Sequence, residues 1–388
     1  MSDRNAATLA TAFNDLREQL FDFQTDPDLS PRKEVEEVPT DEQVKAQKEK
    51  LNKIEKILLP SCRQQLVDLL EALDLPLKGT DPNPKFPEAV QLVKNFGPSL
   101  RELYAGVNAL APHIRSLCRT SSTIDQTYGV LKRFRLESLR LGVSGIISGL
   151  LPDLWGECSL LFSNGQYAHN DPDASIRRDQ IISLSSNVFV EIDEALAILP
   201  RSDFGFLQIK WESFHNQLGE SLAILTQQVN ESTDDPAEGN VRSRIIQLMQ
   251  MAIPLVKLAR IFFRKLARNP PFTFDDKLPS SDLQKLLRSS SSIASSVKGI
   301  VEGLLDVHQE QFGIEEDVPP WAKSAKSSMS GFTDVLRTYL KPLDSDPSTS
   351  PEEIINDLFS LMKPQFFLAC DKILAACDDL VADFPFAQ

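Results

Sequence analysis

Glycine, tryptophan and tyrosine are scarce in this chain of 388 residues, which has 16 Gly, 3 Trp and 4 Tyr. The phosphate-binding loop, Gly-x-Gly-x-x-Gly and Gly-x-Ser-x-Gly motifs are all missing from the sequence. Their absence removes the main sequence signals of nucleotide binding and of serine hydrolases. None of the 4 histidines forms a His-x-x-x-His pair or stands at ligand spacing from a cysteine. We therefore expect no bound metal and no cofactor.

Basic residues are the minority charge, with 41 Lys and Arg against 55 Asp and Glu, a net charge of -14. This balance argues against nucleic acid as a partner, because non-specific binding to phosphates needs a basic surface. The 5 cysteines are odd in number and form no Cys-x-x-Cys pair, which is typical of reduced thiols inside cells. No stretch reaches the roughly 18 apolar residues of a membrane span. We expect an acidic protein of the cytoplasm with no transmembrane segment.

Apolar residues recur at steps of three and four along almost the whole chain, which is the period of an amphipathic helix. Long helices joined by short loops predict an all-α fold made of two antiparallel helical bundles. The polar stretch Ser163 to Asp173 is the clearest mid-chain break. We therefore place an N-terminal bundle over residues 1–165 and a C-terminal bundle over residues 172–388. In an alternative arrangement, the terminal helices share one bundle and the middle of the chain forms the other.

Local signals predict where several helices begin or break. Thr40 followed by Gln43 has the spacing of a capping box, in which side chain and backbone bond reciprocally at a helix start. Pro60, Pro254 and Pro364 interrupt otherwise good helical patterns. Each should kink a helix or split it in two, because proline lacks the amide donor and clashes with the preceding turn.

One predicted helix separates apolar from basic residues. From Val241 to Arg268 there are seven basic residues and no acidic one. Its apolar face, which we expect to be buried, carries Ile245, Leu248, Ala252, Leu255, Ala259, Phe262 and Leu266. The face opposite carries basic residues that, with the neighbouring Lys265, we call the basic stripe: Lys257, Arg260, Arg264, Lys265 and Arg268.

The basic stripe has two interpretations. It is either a solvated helix face or a docking face for an acidic partner segment or an anionic surface. The segment from Leu343 to Gln388 has nine acidic and two basic residues, so it is one candidate for such a contact. Attraction within or between chains would use its acidic residues Asp371, Asp378, Asp379 and Asp383. The sequence thus allows a protein partner with an acidic helix and also self-association.

One hypothesis of an enzymatic function stays open. Asp234, Asp235 and Glu238 resemble the Asp-Asp-x-x-Asp/Glu motif with which terpene synthases hold magnesium. The segment Asn356 to Ser360 matches the start of the second motif of that family, but Pro364 stands where a glutamate is needed. A magnesium-dependent enzyme similar to terpene synthases is therefore an alternative.

Three helical features follow one another in the region 241–340. They are the proline-interrupted helix Ala252 to Arg260, the Ser-rich helix Ser281 to Leu305, and a helix ending at Arg337 to Leu340. In these features the region resembles the cyclin-D-binding protein family, also described as helix-loop-helix-like cyclin-D-interacting proteins. This resemblance implies a pair of helical bundles similar to vinculin or α-catenin domains. It also implies binding of cell-cycle or signalling proteins in cytoplasm and nucleus, and no catalytic residue carries over.

The leading hypothesis is accordingly a non-enzymatic helical protein that binds or regulates other proteins, with the basic stripe as its partner-binding surface. The sequence lacks a coherent catalytic set and has long amphipathic helices. The alternatives are the magnesium-dependent enzyme and a protein that binds anionic membrane surfaces through the basic stripe.

Overall fold

The computed structural model describes residues 2–25, 40–75, 83–110, 131–163, 167, 172–232, 241–268, 270–275, 278–310, 314–343 and 350–383. Almost all of these residues are helical, and the predicted all-α fold is confirmed. The chain divides into two compact units, Met1–Arg201 and Ser202–Gln388, which we call the N-unit and the C-unit.

The N-unit is built from helices that surround one hydrophobic core. Its described helices are α1 (Ser2–Thr25), α2 (Asp41–Lys53), α3 (Leu59–Leu73), α4 (Phe86–Leu110), α5 (Arg133–Gly145), α6 (Leu151–Ser163) and α7 (Pro172–Ile198). The predicted capping box at the start of α2 is confirmed, with Thr40 and Gln43 bonding each other's backbone amides.

Two prolines of the N-unit follow π-helical turns at the same spacing. The turn Ile54–Leu58 joins α2 to α3 and ends two residues before Pro60, and the turn Ile146–Leu150 joins α5 to α6 and ends two residues before Pro152. A π-turn widens the helix locally, which relieves the clash between a proline ring and the carbonyl of the preceding turn. The interruption predicted at Pro60 therefore takes the form of a wider turn.

The C-unit contains the longer helices. They are α8 (Asp203–Ser232), α9 (Val241–Ala267), α10 (Ser280–Glu310), α11 (Ile314–Tyr339), α12 (Pro351–Phe359) and α13 (Met362–Asp383). The strands β1 (Phe272–Phe274) and β2 (Leu340–Pro342) pair antiparallel. At three residues each, they are too short to show the alternation from which a strand is read in a sequence.

Helix α9 lies at the centre of the C-unit and contacts α8, α10 and α13. All seven residues of its predicted apolar face are buried. Phe262 packs at ring-centroid distances of 5.3 Å from Phe332 of α11 and 5.4 Å from Phe359 of α12. The helix continues through Pro254, whereas the chain breaks between Phe359 and Met362, so that Pro364 falls in the first turn of α13.

The structure places the division of the chain after α7, later than the sequence predicts. In the polar stretch from 163 to 173, residues 164–166 and 168–171 lie outside the described residues. The helix that follows does not open the C-unit, because its buried residues Ile181, Val188 and Ile192 belong to the core of the N-unit. The alternative with shared terminal helices also differs from the structure, since α1 packs on α4 and α6, while α13 packs on α9 and α11.

Candidate interaction surface

The five residues of the basic stripe occupy three different environments in the C-unit. Lys257, Arg264, Lys265 and Arg268 are exposed, as expected, and Arg260 is half-buried. Two of the five side chains contact α8, one contacts α12, and two extend into solvent.

Arg260 lies against a glycine of the neighbouring helix α8. A Cβ atom placed on Gly219 would be 3.4 Å from one terminal guanidinium nitrogen of Arg260 and 3.5 Å from its central carbon. The His215 Nδ1 atom of the same helix donates to the Arg260 backbone oxygen at 2.9 Å. These are ordinary van der Waals distances, so the guanidinium lies on α8 beside Gly219 with space left for a methyl group there. Arg260 thus works as a packing residue between α8 and α9.

Arg268 forms an ion pair with Glu212 of α8. Its Nη2 and Nε atoms donate to the two carboxylate oxygens at 2.5 and 3.4 Å. This hydrogen bonding lowers the pKa of Glu212, and the positive charge of Arg264 adds a smaller effect of the same sign. The positive charge of Arg268 is thus paired with a negative charge within the C-unit.

Lys265 binds the end of a short helix. Its Nζ atom donates to the Leu358 backbone oxygen at 2.9 Å, one residue before α12 ends at Phe359. The last carbonyls of a helix have no partner within the helix, and a cation there is favourable. Lys265 therefore holds α12 against α9.

Lys257 and Arg264 have no ion pair or hydrogen bond with another side chain among the described residues of the C-unit. They stand two helical turns apart, about 10 Å along the axis of α9. Within the basic stripe, these two residues are exposed and make no such contact among the described side chains.

The acidic helix predicted as a contact of the basic stripe is α13, which packs directly beside α9. Asp371 pairs with Lys326 of α11 at 2.5 Å, and Asp383 pairs with Arg244 at the start of α9 at 3.3 Å. Attraction between the two charged segments thus occurs within the C-unit at Arg244, which lies outside the basic stripe.

A surface groove that the sequence did not predict runs between α9 and α13. Its volume is about 420 Å³. It is lined by Gln247, Gln250, Met251, Pro254, Leu258, Gln365, Leu368, Ala369 and Lys372. We call it the α9–α13 groove. Met251 and Leu368 are large apolar residues that stay 41% and 48% exposed in it.

The groove escaped prediction because α9 is apolar on more than one face. Among the described helices, Val241–Ala267 is the one long and apolar enough to cross a membrane by composition, and 44% of its most apolar window is buried in the structure. A core helix of a folded unit passes the same test. Met251 and Leu258 fall outside the buried stripe, and this is the signal in the sequence that could have indicated a second apolar face.

The residues of the enzymatic alternative lie only partly within the described structure. Asp234, Asp235 and Glu238 lie outside the described residues, while Asn356 and Asp357 are exposed on α12. Within the described ranges, no group of three or more His, Cys, Asp or Glu residues is arranged to hold a metal ion.

Comparison with known proteins divides the chain at the same point as the fold. Residues 47–200 match a family described as Domain of unknown function (DUF8723), and residues 202–375 match one described as Domain of unknown function (DUF8721). No curated protein and no solved structure matches the chain. The two family matches thus correspond to the N-unit and the C-unit.

Proposed function

We propose that this chain is a non-enzymatic helical protein that binds a protein partner through the surface of α9 in the C-unit. The observation that carries the proposal is a pair of exposed cations, Lys257 and Arg264, that make no ion pair or side-chain hydrogen bond among the described residues and lie on a helix that also borders an open apolar groove. Recognition surfaces combine an apolar centre that supplies affinity with charges that steer the encounter.

The negative net charge of the chain is a second argument for partner binding at this surface. A net charge of -14 would repel an acidic partner from most of the molecule. Lys257 and Arg264 form a local basic site in that field, and isolated exposed ion pairs contribute only about 0–1 kcal/mol to stability. Their placement is better accounted for by partner selection than by folding.

The resemblance to the cyclin-D-binding protein family supports a more specific form of the proposal. On that basis the partner is a cell-cycle or signalling protein, and the complex forms in the cytoplasm and nucleus. The protein then has a regulatory role that depends on binding and not on catalysis.

Site-specific photo-crosslinking in an extract of the native cell tests the proposal. A photoreactive residue is placed at Lys257 or Arg264, with Lys323 as the control, since that lysine is also exposed but lies on α11. We expect a discrete protein adduct from the two α9 positions that weakens at high salt, because screening reduces charge steering. The same adducts from position 323, or none from α9, would count against the proposal.

A further inference from the structure

The α9–α13 groove is shaped for a particular class of ligand. Its two walls are helices, with Met251, Pro254 and Leu258 on α9 and Leu368 and Ala369 on α13. The two helices run antiparallel, because Arg244 at the start of α9 pairs with Asp383 at the end of α13. Exposed apolar side chains of both helices, such as Met251 and Leu368, line the same groove.

Apolar surface continues beyond the groove along α9. Ile261 lies one turn after Leu258 and is exposed. From Gln247 to Leu258 the α9 wall alone is about 17 Å long, at the helical rise of about 1.5 Å per residue. That length is about three turns of an α-helix.

A helix suits this channel better than an extended peptide does. The walls are α-helices whose backbone amides and carbonyls already bond within the helix, so the walls offer no edge to which a strand could add. A strand laid against apolar side chains would leave its own amides and carbonyls unpaired, which is costly. A helical ligand satisfies its own backbone and presents apolar residues at the spacing that a groove between helices receives.

The cations that line the groove or border its α9 wall favour an acidic ligand. Among the described lining residues Lys372 is the charged one, and Lys257 is a surface neighbour of both Pro254 and Ile261 at spacings of three and four residues. Arg264 stands three residues after Ile261 on the same helix. A ligand helix with acidic residues beside its apolar face meets cations along this channel.

Resting on the proposed function, we propose that the α9–α13 groove binds an amphipathic α-helix of the partner protein, with acidic residues flanking the helix's apolar face. The apolar face contacts Met251, Leu258 and Leu368. The acidic flanks contact Lys257, Arg264 and Lys372.

The probe is a displayed library of helical peptides about five turns long, somewhat longer than the groove. Apolar residues are fixed at helical spacing, and the flanking positions vary freely among acidic, basic and neutral residues. The full chain is the bait. We expect enrichment of peptides with acidic flanks, and an empty selection or enrichment without acidic residues would overturn the proposal.

Affinities of an enriched peptide are then measured by fluorescence anisotropy. Leu368→Asn should weaken binding by at least about tenfold, because it places a polar group in the apolar channel. The matched control is Ile224→Asn, which changes an exposed apolar residue of α8 and should leave the affinity unchanged. Equal affinity for wild type and Leu368→Asn would overturn the proposal, and circular dichroism checks that both variants fold.

Two further experiments distinguish failure of the groove proposal from failure of the proposed function. If the native partner depends on Lys257 and Arg264 but not on Leu368, the groove proposal fails while the proposed function stands. If vesicles of phosphatidylserine and phosphatidylcholine bind the wild type, lose binding in Lys257→Glu/Arg264→Glu, and compete with the peptide, the surface is a membrane contact and the proposal is overturned. If neither partner nor peptide depends on these residues, both proposals fail.

Discussion

Adding one methyl group at Gly299 of α10 tests how closely α10 and α11 are packed. A Cβ atom at that position would come within 2.6, 2.7 and 2.9 Å of three atoms of the Trp321 indole on α11. Real Cβ atoms do not make contacts this short, so the indole or the helix must move. Trp321 is 42% exposed, and its ring can therefore shift in part toward solvent.

Two opposing effects determine how Gly299→Ala changes the free energy of unfolding. Overpacking of this kind lowers it by about 1–3 kcal/mol, whereas replacing glycine by alanine inside a helix raises it by about 1 kcal/mol. Gly299→Ala should therefore destabilise the folded chain by about 0–2 kcal/mol. Gly331→Ala on α11 is the matched control, because no described atom lies within 4 Å of a Cβ placed there. It should stabilise by about 1 kcal/mol.

Urea denaturation followed by circular dichroism and tryptophan fluorescence measures the difference between the two variants, which we expect to be about 1–3 kcal/mol. In a Trp321→Ala background, Gly299→Ala should become as stabilising as Gly331→Ala, since the clash is removed. If Gly299→Ala stabilises the wild type as much as Gly331→Ala does, the close contact between Gly299 and Trp321 is refuted.

Three further predictions concern buried groups and charge. Arg135 donates to two backbone carbonyls at the end of α7, so Arg135→Met should lower the free energy of unfolding by about 2–3 kcal/mol in a denaturant titration. Arg140 pairs with Glu137 of its own helix, so Arg140→Met should lower it less, and equal losses for the two variants would contradict this. Because Arg268 lowers the pKa of Glu212, their pair stabilises the fold above the unfolded pKa of glutamate and loses that contribution as pH falls through the lowered value. An NMR titration should show a higher Glu212 pKa in Arg268→Gln, and an unchanged pKa would argue against the pair. Burial raises the pKa of all four described cysteines, and the fifth, Cys118, lies outside the described residues. A Cys118→Ser variant should therefore react with thiol reagents only after unfolding, and rapid labelling of the folded chain would show that the four thiols are accessible.

Periodicity was sufficient to predict the helices and the buried face of α9, because burial of one apolar stripe is what gives an amphipathic helix its stability. It did not predict where the units divide. Polar residues between 163 and 173 indicate a connection between helices, but they do not indicate whether the next helix packs in the N-unit or in the C-unit. That choice depends on whether Ile181 and Val188 find partners in earlier helices, which is a tertiary property.

The basic stripe shows the same limit at the level of single side chains. The sequence indicates which face of α9 is basic. It does not indicate that Arg260 packs beside Gly219 and that Arg268 pairs with Glu212, because both of these partners are far away in the chain. Long-range neighbours of this kind are invisible to helical spacing. The α9–α13 groove is missed for a related reason, because a helix that is apolar on several faces does not show which face stays open.

The central claim is that the cations of α9 recognise a partner. The most direct test is the affinity of the crosslinked native partner across a salt series, for the wild type and for Lys257→Glu/Arg264→Glu. The charge-matched control is Arg288→Glu/Lys323→Glu, which reverses two exposed cations on other helices of the C-unit. We predict an affinity loss of at least about tenfold and a flatter salt dependence for the α9 variant alone. Equal affinities and equal salt dependence in both variants would contradict the account.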